Sequence, residues 1–342
     1  MQTDRASKLI FDGDYVDVQA IEAEKMITEI FSILGCPQPN ALQVAQHLVD
    51  TSLCGIESHG IVRTLQYAKQ MQSGYLNARA TPKIDNTENT ASIDGCGSIG
   101  IPAMHLAYDL GIEHASKHGI SAVSIRNTGH TGRLGAFADD AAQKGFMTIC
   151  IGGGNRRNWK QVAPFGGAKG VLPTNPWCIG MPGGERGSVV VDIATSKIAG
   201  GWIYAARSSG ARLPAGCVID KNGNPTTDPE DYFNGGAILP FGEHKGFGLA
   251  LIAELVAEAL LGPTTTECNW LIISLDAGKF SNSANYPAAA ELLLAQLRDC
   301  PTVDDVKQVE IPGERERQHR RQSNGMLAIP EPTWQQIIKL TR

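Results

Sequence analysis

The chain has 342 residues, of which 42% are hydrophobic and 19% charged, so it can bury a large core and is not disordered throughout. A net charge of −5 without a basic run gives no electrostatic case for nucleic acid, and the apolar stretches are too short to span a membrane. The eight cysteines stand singly and the first residues lack a signal pattern, which favours a reducing cytoplasm.

Helical periodicity characterises the first part of the chain. Residues 17–35 carry apolar side chains at helical spacing and end in a cluster of Gly and Pro. Asn40 is a candidate N-cap for a second helix. A third helix is predicted to start near residue 57 and to end near Gly74.

Strands alternate with helices beyond residue 82, which predicts an α/β fold class. Strands are predicted at 90–94, 120–125, 146–151, 188–193 and 271–275. Helices are predicted at 102–118, 136–144, 246–261, 288–298 and 334–340. The Gly-rich and Pro-rich region 152–182 is predicted to be a long functional or mobile loop.

The stretch Glu57–Tyr67 contains His59, Arg63 and Tyr67 at four-residue spacing. In a single helix these three side chains share one face. The imidazole transfers a proton near neutral pH, the guanidinium forks onto a carboxylate, and the phenol closes a pocket. A polar helix face in contact with solvent is the alternative that spacing alone leaves open.

A literal G-x-G-x-x-G spans Gly95–Gly100, between a predicted strand and a predicted helix. A dinucleotide-binding fingerprint also needs an acidic residue at the end of the next strand, about 20 residues on. Residues 125–128 contain no carboxylate, although Arg126 would suit a 2′-phosphate. An ordinary Gly-rich turn is the alternative reading.

Three further polar groups lie in turns next to predicted elements. His130 stands in a Gly-rich turn after a strand, and Asp192 ends an apolar strand. Lys245 precedes a helix as a candidate anion site, without the spacing of a P-loop. The charge run 311–317 would by itself be solvated, and the scattered histidines predict no metal site.

Seven motifs in a fixed order carry a resemblance to a known family. They are Ser58-His59-Gly60 with Arg63 and Tyr67, Gly129-His130, Thr174-Asn175-Pro176, residues 192–196, residues 225–229, Lys245-Gly246 and Pro312-Gly313-Glu314. The chain resembles the malate/L-lactate dehydrogenase family of NAD(P)-dependent 2-hydroxyacid oxidoreductases over nearly its whole length. The last motif, with Arg320 and Arg321, is most similar to the hydroxycarboxylate dehydrogenase branch.

The resemblance implies an α/β fold whose cofactor domain is a non-Rossmann mixed, largely antiparallel sheet with flanking helices. It implies an N-terminal helical unit for dimerisation and substrate at 1–85, a cofactor-binding domain at 86–285, and a C-terminal segment at 286–342 that packs back on the first. A homodimer follows from it. The Gly95–Gly100 motif then becomes a structural turn.

The family also implies residue roles. Catalytic roles fall to His59 as proton donor, to His130, which is the base in some members, and to Asp192. Substrate-binding roles fall to Ser58, Arg63, Tyr67, Arg133 and Thr174, where Arg133 would be a second cation for a doubly anionic substrate. Cofactor-binding roles fall to Asn175, Asp192, Ile193, Ala194, Thr195, His244, Lys245, Gly313, Glu314 and Arg315.

The expected function is hydride transfer between a nicotinamide and C2 of a 2-oxo or 2-hydroxy carboxylate, with NAD or NADP left open. One alternative is an NADPH-dependent reductase of a cyclic imine carboxylate. A second, from another class, is an inactive ligand-binding protein on the same fold. The expected partner is a small carboxylate, without nucleic acid or membrane. Residues 262–280 form a shorter segment than in many relatives.

Overall fold

The computed structural model describes residues 14–86, 90–280, 285–304 and 306–341. Its helices are α1 Ala20–Ile33, α2 Gln38–Leu53, α3 Arg63–Gln72, α4 Gly100–His118, α5 Leu134–Gln143, α6 Gly200–Ser209, α7 Pro229–Phe233, α8 His244–Glu254, α9 Tyr286–Arg298, α10 Glu314–Gln322 and α11 Glu331–Lys339. A π-helix at Leu255–Leu260 continues α8. None of the helices in these ranges is long and apolar enough to cross a membrane.

The strands are β1 Tyr15–Gln19, β2 Lys83–Asn86, β3 Ala91–Asp94, β4 Ile120–Thr128, β5 Phe146–Gly153, β6 Trp177–Gly184, β7 Gly187–Ile193, β8 Val218–Ile219, β9 Pro225–Thr226, β10 Ala237–Ile238, β11 Cys268–Asp276 and β12 Met326–Pro330. Seven of them form one sheet in the order β2-β3-β4-β11-β5-β6-β7. β2 and β3 are antiparallel, whereas β3 and β4 are parallel and joined through α4. The sheet is mixed and mostly antiparallel, which confirms the predicted fold class.

The strand β1 was not predicted from the sequence. It pairs antiparallel with β12, and Tyr15 lies opposite Pro330. The helix predicted for 17–35 therefore starts late, because its first three residues belong to this strand and α1 begins at Ala20. A strand of five residues has little local signal in the sequence, and its partner β12 lies near the other end of the chain.

The predicted N-cap at Asn40 is wrong. The helix α2 begins at Gln38, directly after Pro37, so Asn40 lies in its first turn. Pro39 is compatible with this start because the first turn of a helix needs no hydrogen-bonded N–H there. The amide of Asn40 instead donates to the carbonyl of Ala80 at 3.4 Å.

The stretch predicted as a single third helix is broken at Gly60. Glu57–His59 form one turn of 3-10 helix, and α3 begins only at Arg63. Gly60 has an extended backbone and packs so closely on Ser52 that a Cβ would collide with the Ser52 hydroxyl. The same hydroxyl accepts a hydrogen bond from Ile61 N at 3.0 Å. The prediction that His59, Arg63 and Tyr67 share one helix face is therefore wrong.

The Gly95–Gly100 turn is hydrogen-bonded to carbonyls of the chain itself. The N–H of its first glycine donates to Arg126 O, and that of its second glycine to Asn127 O, both at 2.8 Å. The N–H of its last glycine donates to His130 O at 3.0 Å. A phosphate needs open amides at such a turn, and these three are used. The structure supports the structural-turn reading.

Close packing divides the chain into two compact units. The first contains the described residues up to Ile149, Cys178–Val191 and the described residues from Ile272 onward; the second contains Cys150–Trp177 and Asp192–Leu271. In the first unit α1 packs on α2, and in the second an apolar core is formed by Val162, Leu172, Ile203, Leu213, Val218 and Ile238. The three-part division at residues 85 and 285 stays a prediction.

Candidate functional site

His59 and Arg63 lie next to each other in the first unit although a helix break separates them. The imidazole Nδ1 of His59 is 2.9 Å from the hydroxyl of Ser58. Arg63 Nε donates to the carbonyl of Ser58 at 2.6 Å, and a terminal nitrogen of Arg63 donates to the side chain of Gln66. The 3-10 turn thus fixes both side chains through Ser58, whose hydroxyl contacts the imidazole and whose carbonyl accepts from the guanidinium.

His130 lies beside His59, with ring centroids 5.4 Å apart and ring planes 30° from parallel. Its Nδ1 is 2.6 Å from the hydroxyl of Tyr67, whose side chain is fully buried in α3. The backbone N–H of Gly132 donates to the same Nδ1 at 3.1 Å. The structure therefore brings together five predicted site residues, Ser58, His59, Arg63, Tyr67 and His130, but through a turn and a loop and not through one helix face.

The backbone of the His130 loop is held by the Gly95–Gly100 turn. Gly129 N donates to Ser98 O at 2.8 Å, and His130 O accepts from the last glycine of the turn. A Cβ on Gly129 would collide with the side chain of Leu76, so the approach requires glycine at that position. The motif that imitates a nucleotide fingerprint serves to position a candidate site residue.

Both imidazoles titrate far below the usual range of histidine. Burial, with Arg63 and Arg133, lowers the pKa of His59 to about 3. Burial, with Arg63, His59 and His47, lowers the pKa of His130 well below its ordinary value. Desolvation and nearby cations both disfavour imidazolium, so both rings are neutral at pH 7 in the protein without a ligand.

Arg133, predicted as a second substrate cation, is buried and points at α2. Its guanidinium donates to the carboxylate of Asp50 at 3.2 Å and to the sulfur of Cys54 at 3.6 Å. Its backbone N donates to Nε2 of His47 at 2.9 Å. Asp50 also accepts from Arg320 at 2.8 Å.

His47 and Asp50 were missed from the sequence. Both lie on α2, where His47 is buried along with the apolar residues Val44 and Leu48. The available signal was the spacing of His47 from Val44, which places it on the apolar face of the predicted helix. That position does not distinguish a site residue from an ordinary core histidine.

Three predicted cofactor segments meet in the second unit. Thr195 donates from its N and its hydroxyl to the carbonyl of Thr174, both at 2.9 Å. The carbonyl of Thr195 accepts from Phe241 N at 3.0 Å, in the loop that leads into α8. His244 and Lys245 are exposed in the first turn of that helix.

The remaining second-unit residues flank this junction. Asn175 is fully buried with a positive φ of 42°, and its amide donates to Ala250 O at 2.8 Å. At the end of β7 the side chains of Asp192 and Ile193 are exposed and Ala194 is half-buried. Gly246 packs on Phe241 O so closely that a Cβ would collide with it.

The last predicted cofactor segment belongs to the first unit. Gly313 precedes α10 with a φ of 93°, and Pro312 O accepts from Val190 N in β7 at 3.0 Å. Glu314 accepts two hydrogen bonds from the buried guanidinium of Arg298, at 3.0 and 2.7 Å. Arg315 is 3.9 Å from the carboxylate of its neighbour Glu316. Glu314 therefore has a structural partner in the first unit.

Comparison with known proteins gives the same family along the chain. The malate/L-lactate dehydrogenase family matches residues 18–338. Hydroxycarboxylate dehydrogenase B of Escherichia coli O157:H7 is 34% identical, with 96% of this chain and 94% of that protein aligned. A delta(1)-pyrroline-2-carboxylate/delta(1)-piperideine-2-carboxylate reductase of Pseudomonas putida is 33% identical, with 72% of each chain aligned.

A solved structure supports the match in three dimensions. Sulfolactate dehydrogenase from Methanocaldococcus jannaschii superposes with a TM-score of 0.84 at 29% identity, covering 95% of this chain and 96% of that one. The predicted resemblance is confirmed by the family match, by the relatives and by this fold. The chain therefore belongs to the malate/L-lactate dehydrogenase family, a family of oxidoreductases that act on hydroxy acids.

Proposed function

We propose that the chain transfers hydride between a nicotinamide cofactor and C2 of a 2-oxo or 2-hydroxy carboxylate. The observation that carries this proposal is the pair of imidazoles, with centroids 5.4 Å apart, beside the Arg63 guanidinium. A 2-oxo acid offers a carboxylate for a guanidinium and a carbonyl oxygen that needs a proton when it is reduced. Those two needs match the two kinds of side chain.

Arg63 is the proposed carboxylate clamp. A guanidinium has five N–H donors in a planar fork, and Arg63 uses Nε and one terminal nitrogen for the bonds described above. The remaining donors suit a carboxylate, and the bond to Ser58 O fixes the plane of the fork. Ser58 and Thr174 are proposed as further substrate contacts. Since Arg133 is bonded to Asp50, we give it an electrostatic role and no direct contact.

His59 is the proposed proton donor in reduction and the proton acceptor in oxidation. Its Nδ1 is bonded to a hydroxyl, which both accepts and donates, so the ring tolerates a change of protonation state. A bound carboxylate offsets the charge of Arg63, one of the two cations that lower the pKa of His59. Substrate binding therefore removes the second of the causes that lower the pKa of His59, while burial remains the first.

The second unit is the proposed cofactor site, with NAD or NADP as the cofactor. The exposed His244 and Lys245 begin α8, where helix N–H groups and a cation fit the diphosphate of a dinucleotide. Asn175 and the segment 192–195 lie in that unit, and we add Gly313, Glu314 and Arg315 by family analogy. A bound nicotinamide would supply or accept the hydride. Asp192 is proposed to orient and polarise the catalytic imidazole.

The test is a panel of 2-oxo acids, each assayed for oxidation of NADH and of NADPH by the purified chain. Activity with at least one 2-oxo acid is expected. A second candidate function is the reduction of a cyclic imine carboxylate, which the Pseudomonas putida relative favours by its name. Such an imine arrives already protonated and needs less from His59. Piperideine-2-carboxylate in the same panel separates the two functions.

A chain without activity toward any of these compounds would point to the ligand-binding alternative if it still binds nicotinamide dinucleotides. Fluorescence titration with NADH and NADPH measures that binding directly. The ratio of the two dissociation constants also identifies the preferred cofactor. Absence of both binding and activity contradicts the proposed function.

A homodimer is part of the proposal, and besides the N-terminal helical unit 1–85 we propose the exposed face of α8 as a contact surface. Leu251, Ile252 and Leu255 lie on one side of α8 and of the π-helix that continues it, and they are 43%, 47% and 51% exposed. Exposed apolar side chains grouped on one helix mark interaction surfaces. Sedimentation should give a dimer for the wild type and a monomer for Leu255→Glu. Ile120→Glu at the start of β4, at 54% exposure, is the matched control and should stay dimeric.

A reducing compartment is the proposed location. All eight cysteines are free thiols, and several are buried in the interior of the protein. Cell fractionation tests this location, and recovery of the protein in an oxidising compartment contradicts it.

A further inference from the structure

We propose that His130 is fixed as the neutral tautomer with its proton on Nε2, and that it donates a hydrogen bond to the substrate while His59 alone transfers the proton. The substrate part of this proposal rests on the proposed function. The tautomer part stands on the geometry of the loop and can be measured without any substrate. It departs from the expectation that His130 is a catalytic base.

The atom that fixes the tautomer is the backbone nitrogen of Gly132. A backbone N–H donates hydrogen bonds and never accepts them, so the Nδ1 atom 3.1 Å away must present its lone pair. The Tyr67 hydroxyl lies 2.6 Å from Nδ1, and because this nitrogen then has no proton, the hydroxyl is its donor as well. A neutral imidazole has one N–H, which must then be on Nε2. Protonation of Nδ1 would set two N–H groups against each other.

Gly132 cannot turn its N–H away without disturbing the loop. Its φ is 72°, a left-handed conformation that favours glycine, and a Cβ there would collide with the imidazole of His47. The next residue, Arg133, is anchored through its own N to His47 Nε2 at 2.9 Å. On the other side, His130 O is bonded to Gly100 N at 3.0 Å. The ring and its obligate donor are therefore held on both flanks.

His59 differs in the one contact that matters. Its Nδ1 faces the hydroxyl of Ser58 at 2.9 Å, and a hydroxyl accepts from imidazolium as readily as it donates to imidazole. His59 can therefore gain and lose a proton without breaking that hydrogen bond. His130 cannot, because Gly132 has no acceptor to offer in exchange. Arg63, His59 and His47 surround His130 and also disfavour a positive charge on its ring.

The two rings then divide the work of reduction. A bound reduced nicotinamide would supply hydride to C2, and the substrate oxygen would take the electron pair of the C=O π bond that breaks. The proton on His59 Nε2 passes to that oxygen, and His59 changes from imidazolium to neutral imidazole. The Nε2–H of His130 donates a hydrogen bond to the substrate and keeps its proton throughout. Oxidation of a 2-hydroxy acid runs through the same steps in reverse.

The direct test is nitrogen NMR of the full chain with ¹⁵N-labelled histidine, without ligand, near pH 7. The His130 resonances are assigned by their loss in His130→Gln. We expect a lone-pair (pyridine-type) shift at Nδ1 and an N–H (pyrrole-type) shift at Nε2. The reverse pattern, or an imidazolium pattern, overturns the proposal. This result does not depend on activity, so it separates failure of the tautomer from failure of the proposed function.

The kinetic test compares His130→Gln with His130→Leu. The glutamine amide keeps an N–H donor that cannot titrate, whereas leucine removes the donor. Leucine should lower kcat by about 10²-fold to 10³-fold, the loss typical of one donor to a developing oxyanion. Glutamine should lose much less and keep the histidine limb of the pH profile, which should vanish in His59→Gln. Equal losses in the two His130 variants, or loss of that limb in His130→Gln, contradict the proposal.

Discussion

The carboxylate of Asp50 on α2 accepts a hydrogen bond at 3.2 Å from the guanidinium of Arg133, which lies 83 residues later in the chain. The side chain of Arg133 is only 9% exposed, whereas that of Asp50 is 32% exposed. A buried guanidinium that loses its counterion is costly, so this pair ties the loop of His130 to the N-terminal helices.

Asp50→Asn should therefore destabilise the protein. We expect a loss of about 3 kcal/mol in the free energy of unfolding, the lower end for a broken buried pair because Asp50 is partly solvated. Urea denaturation measures it. Asp140→Asn is the matched control, since Asp140 pairs with Lys144 on an exposed helix face and should contribute less than about 1 kcal/mol. Equal effects of the two variants would contradict the structural role of Asp50.

His59→Ala should lower kcat on a 2-oxo acid by about 10²-fold or more, the scale of a lost general acid. Binding of the nicotinamide dinucleotide should be unchanged, because the proposed cofactor contacts lie elsewhere. Steady-state kinetics and fluorescence titration measure the two quantities. His118→Ala, at the exposed end of α4, is the control. Unchanged turnover of the His59 variant would remove it from the mechanism.

Arg63→Lys should mainly raise KM for the carboxylate substrate. An ammonium is a point charge and cannot make two parallel hydrogen bonds to a carboxylate. Loss of one charged hydrogen bond costs about 1.5 kcal/mol, or about tenfold in KM. Arg79→Lys, an exposed arginine outside the site, should leave KM as it is. A rise in KM for the cofactor instead of the substrate would refute the clamp.

Stability should fall as the pH drops below the ordinary histidine pKa of about 6.5. The folded-state pKa values of His47, His59 and His130 are all lowered, so below 6.5 the unfolded chain binds protons that the folded chain does not. Each such histidine costs about 1.4 kcal/mol per pH unit until its folded pKa is reached, which for His59 is about 3.

The measurement is the free energy of unfolding in urea at pH 7.5 and pH 5.5. Carboxylates also titrate toward acid pH, so the informative quantity is the difference in slope between the wild type and His47→Gln. The variant should have the shallower slope. Equal slopes for wild type and His47→Gln would mean that His47 is not held neutral.

The order of short motifs carried the resemblance to the family, and the mixed sheet was expected from that resemblance, since the alternation of strands and helices alone predicts only an α/β fold. The local break at Gly60 was not predictable from spacing, since it depends on the close approach of Ser52 from another helix. The sequence also contained no sign that Tyr67 would meet His130. That contact joins a helix to a loop 63 residues away, and only the packed fold brings them together.

Arg133 illustrates a different limit. As a cation next to a predicted catalytic turn, it suggested a substrate contact. Its partner Asp50 lies in α2, and two α-helices and three strands separate the two residues in sequence, so the sequence alone does not indicate the pairing. The turn at Gly95–Gly100 has the spacing of a dinucleotide-binding motif but serves as a structural turn. Spacing does not indicate whether the backbone amides of a turn are free to bind a phosphate or are hydrogen-bonded within the chain.

The pairing of Tyr15 with Pro330 has a consequence for biosynthesis. A ribosome that has released β1 must still translate most of the message before β12 emerges. During that interval β1 has no partner strand, so the two-stranded sheet next to α1 is not yet formed. We expect nascent chains truncated before residue 326 to be more easily cleaved by protease between residues 14 and 20 than the finished chain. Completion of the N-terminal layer is therefore one of the last events of folding.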